Sequence, residues 1–131
     1  MTKVPSLFQT VPKKNYFFGP LPPGKPEQLQ EVTRFFEFKT DDVAKATEIP
    51  RASIRYDAKM PEELQERLRE WAIVVNLVAE FFDGNLDRTV QWFRMPNPLL
   101  GFMSPKDMIR VGRFKKLHKF IATAIEEGRR P

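Results

Sequence analysis

The chain has 131 residues, 12 prolines, no cysteine and a net charge of +5, which excludes a disulfide framework or a thiolate metal site. A chain of this length buries roughly two-thirds of its unfolded surface, enough for one core without a second, and 41% hydrophobic with 30% charged residues is a globular composition. The longest apolar run, "WAIVVNLVAEFF" from Trp71 to Phe82, is broken by Asn76 and Glu80 and is shorter than the ~20 residues of a membrane span; the start lacks a secretory profile, so a cytoplasmic protein away from membranes is expected.

Residues 1–25 mix prolines with Phe8, Tyr16, Phe17 and Phe18 and show neither helical nor alternating period; they read as an extended arm lying on the body or on another subunit. Pro26 suits a first helical position, and Leu29, Val32 and Phe36 form a stripe behind it. Thr40 caps a short helix whose Asp41 and Asp42 suit its positive end, and Pro50 opens a second short helix. After Pro61, the residues Leu64, Leu68, Trp71, Val75, Val78 and Phe82 recur at steps of four and three, which predicts a long central helix. Asp83-Gly84 ends it, and Asn85 caps a helix with Leu86, Val90 and Phe93 on one face.

Met95 and Asn97 each precede a proline and are pushed toward extended backbone, so that helix stops near Arg94 and the chain is expected to run on almost straight. Ser104 with Asp107 forms a capping pair, with Pro105 at the first helical position and Gly112 at the end. A last helix carries Phe114, Leu117, Ile121 and Ile125 on one side and stops at Gly128. With no strand pattern in competition, the fold class is all-α: a helical bundle with an arm (1–25), a helix-turn-helix-like part (26–60) and a C-terminal helical domain (61–131).

Little in the chain suggests catalysis. "GPLPPGKP" has the glycine and lysine spacing of a phosphate loop, but Pro20, Pro22 and Pro23 lack the N–H donors that would cradle phosphate and Pro26 stands where a hydroxyl would hold magnesium. His118 is the only histidine and is expected on the surface, not in a metal site. Glu62, Glu63, Glu66 and Glu70 with Arg67 and Arg69 read as a solvated helix face. No nucleophile, base and orienting group assemble, so neither an enzyme nor a cofactor is expected.

Val43, Ala44, Ile49 and Ile54 have the apolar spacing of a helix-turn-helix, although Glu48 occupies the turn position where glycine is usual. In such a motif Arg51, Ser53, Arg55 and Tyr56 would face the DNA groove and Lys59 a phosphate. A purely structural pair of helices packed on the central one fits the same residues.

The order of parts also carries a resemblance. A helix ending in Trp92, the loop "PNPLLG", then "SPKDMI", Gly112 and a closing helix ending in "EEG" resemble the Xre/MbcA/ParS family of antitoxins, in its toxin-binding domain. The match is best from Leu86 to Gly128 and extends loosely back to Asp41; Trp92, Asn97, Pro98, Leu100, Gly101, Pro105 and Gly112 are its most specific elements. It implies a bacterial type II antitoxin that blocks a RES-domain toxin, an enzyme that consumes NAD or uses it to modify a target, as a homodimer within the toxin–antitoxin complex, with operator DNA as a second partner where the antitoxin represses its own operon. Glu48, a recognition segment cut short at Pro61, and the arm depart from the family pattern.

The residues support a binding role on their own terms. A proline-stiffened loop loses less entropy on docking, and Leu99, Leu100, Phe102 and Met103 offer an apolar centre beside Asn97. The opposing reading folds Trp92, Leu100 and Phe102 into the core and leaves Asn97 to bond its own loop. Lys115, Lys119, Arg129 and Arg130 are either a solvated face or a basic tail at the toxin. The competing functions are a transcription regulator that binds DNA through the helix-turn-helix and an immunity or scaffold protein with another target.

Overall fold

A computed structural model describes residue 18, residues 25–129 and residue 131. The expectations for Phe8, Tyr16, Phe17, the phosphate-loop look-alike before Lys25, and Arg130 lie outside these residues. Among the described residues there are six α-helices and no strand: α1 Pro26–Phe35, α2 Thr40–Thr47, α3 Glu62–Phe81, α4 Leu86–Arg94, α5 Pro105–Arg110 and α6 Phe114–Glu126. Short 3-10 turns lie at Arg51–Ser53 and Pro98–Leu100. The all-α expectation holds, and no helix among the described residues is long and apolar enough to cross a membrane.

The helix starts follow from local chemistry. Pro26 takes the first position of α1, where its missing N–H costs nothing, and the Gln28 side chain accepts the Lys25 backbone N–H at 3.1 Å. α2 begins at its expected cap, so the cap lies one residue earlier, at Lys39: Thr40 is already helical, and Asp42 accepts the Lys39 backbone N–H at 2.9 Å. Asn85 caps α4 by accepting the Arg88 N–H at 3.0 Å, and Ser104 caps α5 by accepting the Asp107 N–H at 3.1 Å.

α3 runs through the centre of the protein. Leu64 and Leu68 are buried on one stripe, and from Trp71 to Ala79 every residue except Ile73 is buried. Asn76 tolerates this position because its amide donates to the Ala72 carbonyl at 3.0 Å within the same helix. α1, α4 and α6 pack on α3, while α5 joins α2, α4 and α6.

An aromatic block locks three of these helices together. Phe36 stands edge-on to Trp71 at 6.2 Å and to Phe93 at 5.4 Å, and stacks on Phe38 at 5.3 Å. Phe35 meets Phe93 at 5.7 Å and the buried Phe18 at 5.9 Å. These edge-to-face contacts add to plain burial, typically by about 0.5–1.5 kcal/mol a pair.

Two local expectations are corrected. Leu86, at the first position of α4, is 51% exposed, and Thr89 takes its place on the buried face with Phe93. The second helix of the expected helix-turn-helix is a single 3-10 turn followed by irregular chain up to Pro61. Four residues from Ile54 to Asp57 lack helical backbone, and Asp57 and Lys59 close a separate turn through the Lys59 N–H to Asp57 carboxylate bond at 2.9 Å.

Glu48 adopts the left-handed conformation that its position requires, at φ 59°. A Cβ there costs about 1 kcal/mol. Glu48→Gly is therefore expected to raise stability by about 0.5–1 kcal/mol in urea unfolding. An unchanged or lowered midpoint would show that the exposed Glu48 side chain offsets the strain.

Candidate functional site

The loop after α4 begins as its prolines demand. Met95 (φ −87°, ψ 143°) and Asn97 (φ −113°, ψ 117°) are both extended. It does not continue straight. Pro98–Leu100 form a 3-10 turn, Gly101 and Phe102 both take φ +67°, and the chain returns on itself.

Asn97 is the hub of this reversal. Its backbone N–H donates to the Met103 carbonyl at 3.2 Å, its carbonyl accepts the N–H groups of Leu100 and Phe102, each at 2.9 Å, and its side-chain oxygen accepts the Leu99 N–H at 2.9 Å. The backbone groups a partner would otherwise have to satisfy are thus bonded within the loop. Asn97→Ala is expected to free the Leu99 N–H and loosen the tip, at a cost near 1 kcal/mol, as for helix caps of the same geometry. Faster amide exchange confined to residues 97–103 would report it; exchange as slow as in the parent protein would remove Asn97 as the organiser.

Alternate side chains of the tip point opposite ways. Leu100 and Met103 are half-buried against the core, whereas Leu99 is 64% and Phe102 72% exposed. The reading that folds Leu100 inward agrees with this placement, but the same reading of Phe102 is corrected, because its side chain stands in solvent. Phe102 is unusual twice over, as a large aromatic on the surface and as a residue with a Cβ in the left-handed region.

Beside the tip lies an open groove of about 440 Å³ lined by Phe82, Arg88, Gln91, Trp92, Met95, Pro96, Asn97 and Pro98. Arg88, Gln91, Trp92 and Met95 recur at steps of three, one and three, so one stripe of α4 and its cap forms the wall. Sequence reasoning missed this wall, since two of its four members are polar; the signal was the position opposite the buried Thr89 and Phe93. Trp92 is half-buried: its ring meets Phe93 edge-on at 4.9 Å while also lining the groove. Its indole N–H donates to the carbonyl of the buried Pro131 at 3.3 Å. The end of the chain is thereby folded back beside the groove.

The other expected binding residues lie on separate elements. Lys115 and Lys119 are exposed on the outer face of α6, opposite the buried Leu117 and Ile121. Arg129 is engaged within its own chain, with its guanidinium 5.9 Å from the Phe120 ring centre and its Nε 2.5 Å from the Glu127 carboxylate. Arg51 pairs with Asp41 at 2.6 Å, and Arg55 grips Asp57 through two nitrogens at 2.6–3.0 Å. Ser53 closes the 3-10 turn, Lys59 is exposed, and Tyr56 is half-buried, its hydroxyl pushed up by burial against a bond to Thr33.

Two expected surface residues are partly buried instead. Glu70 pairs with Arg67 at 2.7 Å, yet burial raises its carboxyl above the usual range and outweighs that partner. His118 stacks on Phe114 with ring planes 7° apart and has a buried, unpartnered Nε2. Burial lowers its pKa from the ordinary 6.5. The unfolded chain then takes up the proton first as pH falls, so this contribution to stability is complete above 6.5 and is lost progressively below it. Urea midpoints between about pH 7 and pH 5 should fall more steeply for the parent than for His118→Leu; equal slopes would show that the imidazole is solvated when charged.

The sequence matches no protein-family model and no curated protein. Among solved structures, the chain is similar to a chain in the crystal structure of the M. tuberculosis MbcT-MbcA toxin-antitoxin complex, with a TM-score of 0.48 and 21% identity over 79% of this chain and 94% of that one.

Proposed function

We propose that this protein is an antitoxin that binds a RES-type toxin and occludes its active-site entrance, with the tip at Leu99 and Phe102 and the adjoining groove as the docking surface. The observation that carries the reading is the tip itself: a loop whose backbone is satisfied internally by Asn97, flanked by Pro96 and Pro98, with the apolar side chains of Leu99 and Phe102 held in water. Burying a Leu or Phe side chain on a partner is worth about 1.5–3 kcal/mol each, and a loop ordered beforehand keeps more of that gain. The tip coincides with the sequence elements that resemble the antitoxin family, Trp92, Asn97, Pro98, Leu100 and Gly101, which is what directs the proposal to a toxin partner.

Such a mechanism needs no chemistry from the antitoxin. It requires shape and apolar area, for which the tip and groove are the candidates, and on this reading the affinity lies mainly in a slow off-rate. The test is coexpression with the product of the neighbouring reading frame, which the proposal expects to be a RES-domain toxin, followed by copurification. The full chain is expected to restore growth and to copurify with the toxin. Undiminished toxicity with both proteins present would overturn the proposal.

A further inference from the structure

We propose that the outer face of α6 and the turn before it, carrying Arg113, Lys115, Lys116 and Lys119, is a sequence-independent binding surface for the phosphate backbone of duplex nucleic acid. Between Asp107 and Glu126 the chain has no carboxylate and five cations, these four and Arg110, which matches the entire net charge of +5. The remainder of the molecule is charge-balanced.

Elsewhere many arginines sit beside acids, such as Arg34 with Glu31, Arg51 with Asp41, Arg67 with Glu70 and Arg110 with Asp107, and cations without an ion pair, such as Lys45, Lys59 and Arg88, have carboxylates near them in sequence. Arg113, Lys115, Lys116 and Lys119 are exposed and form no direct ion pair among the described residues; the one carboxylate felt from across the fold is Glu70, which interacts with Lys115 and is already paired with Arg67. Their placement is also electrostatically adverse. The first turn of α6 contains no acid, and Lys115 and Lys116 lie at the positive end of its dipole. An ordinary solvated face would place carboxylates here, whereas a bound polyanion is favoured by the cations and the dipole together.

The surroundings select among polyanions. A lipid surface needs an exposed apolar flank on the basic helix, but Leu117, Ile121, Ala122 and Ala124 of α6 are buried in the core, and the only apolar side chain that the turn before it exposes is the small one of Val111. Single strands need aromatic platforms for base stacking, and the aromatic rings of α6 are only partly exposed, with Phe114 stacked on His118 and Phe120 under Arg129. A duplex requires cations alone. The segment with helix-turn-helix spacing offers less, since Arg51 and Arg55 are already paired and no second helix is present to enter a groove.

The experiment is fluorescence anisotropy of the full chain with a labelled 30-base-pair duplex of arbitrary sequence in rising KCl. Neutralising about four phosphates gives a log–log salt slope near −3.6, hence on the order of a 100-fold loss of affinity between 50 and 200 mM salt. Lys115→Gln with Lys116→Gln and Lys119→Gln should flatten the slope by about 2.7, with the thermal midpoint nearly unchanged. Arg51→Gln with Arg55→Gln should leave it as it was. The proposal is overturned by absence of binding at 50 mM salt, by loss through the arginine pair instead of the lysines, or by lysine-dependent binding to phosphatidylserine vesicles and not to duplex. It is equally overturned if the lysine triple variant keeps duplex binding and loses only its protein partner.

Discussion

Phe102→Gly should yield a protein that is more stable and no longer neutralises. Glycine adopts φ +67° without the clash a Cβ brings, so the substitution is expected to add about 0.5–1 kcal/mol and a few degrees to the Tm. The same change removes an aromatic ring that is 72% exposed and, on the proposed reading, central to the toxin interface. Central aromatic anchors contribute 2 kcal/mol or more, so affinity should fall about 30-fold or beyond, and with Leu99→Asp added it should become undetectable in copurification. Glu48→Gly is the matched control, relieving similar strain at φ 59° outside the tip, and should gain stability while keeping neutralisation. If Phe102→Gly restores growth as fully as the parent, the tip is not the docking surface.

Phe36→Ala should have the largest effect on folding. Phe36 is 1% exposed and touches Phe38, Trp71 and Phe93, rings from the α1–α2 turn, α3 and α4. Truncating a buried Phe to Ala leaves a cavity and costs about 3–5 kcal/mol, which for a chain of this size lowers the Tm by about 10–20 °C. Calorimetry checks the figure, and a loss below about 1 kcal/mol would mean that the block collapses around the vacancy. Because Phe93 packs edge-on against Trp92 of the groove wall, the variant is expected to weaken toxin binding as well.

Much of the helix framework was legible in the sequence. Pro26, Asn85, Ser104 and Pro105 mark starts through local bonds that a short window of residues determines, and the spacing of Leu64, Leu68, Trp71, Val75 and Val78 identifies the buried helix. What escaped depends on neighbours distant in the chain. Leu86 fits the apolar face of α4 by period, but which part of that face meets the body is set by distant neighbours, and the buried positions are Thr89 and Phe93. His118 appears polar and peripheral until Phe114 and the packed helices enclose it.

The loop was half legible for the same reason. Prolines dictate the extended residues before them, and this much was read correctly at Met95 and Asn97. The reversal depends on two successive left-handed residues, of which only Gly101 advertises that conformation; Phe102 adopts it because the bonds to Asn97 require it. The groove was hidden because its wall mixes Arg88 and Gln91 with Trp92 and Met95.

The two tryptophans occupy contrasting environments, Trp71 sealed within the aromatic block and Trp92 at the rim of the groove. Their emission therefore separates into a constant inner component and an outer one that is open to quenchers. Acrylamide should dim Trp92 selectively, and a protein seated over the groove should shield it, so the unlabelled molecule carries an optical gauge of its own occupancy.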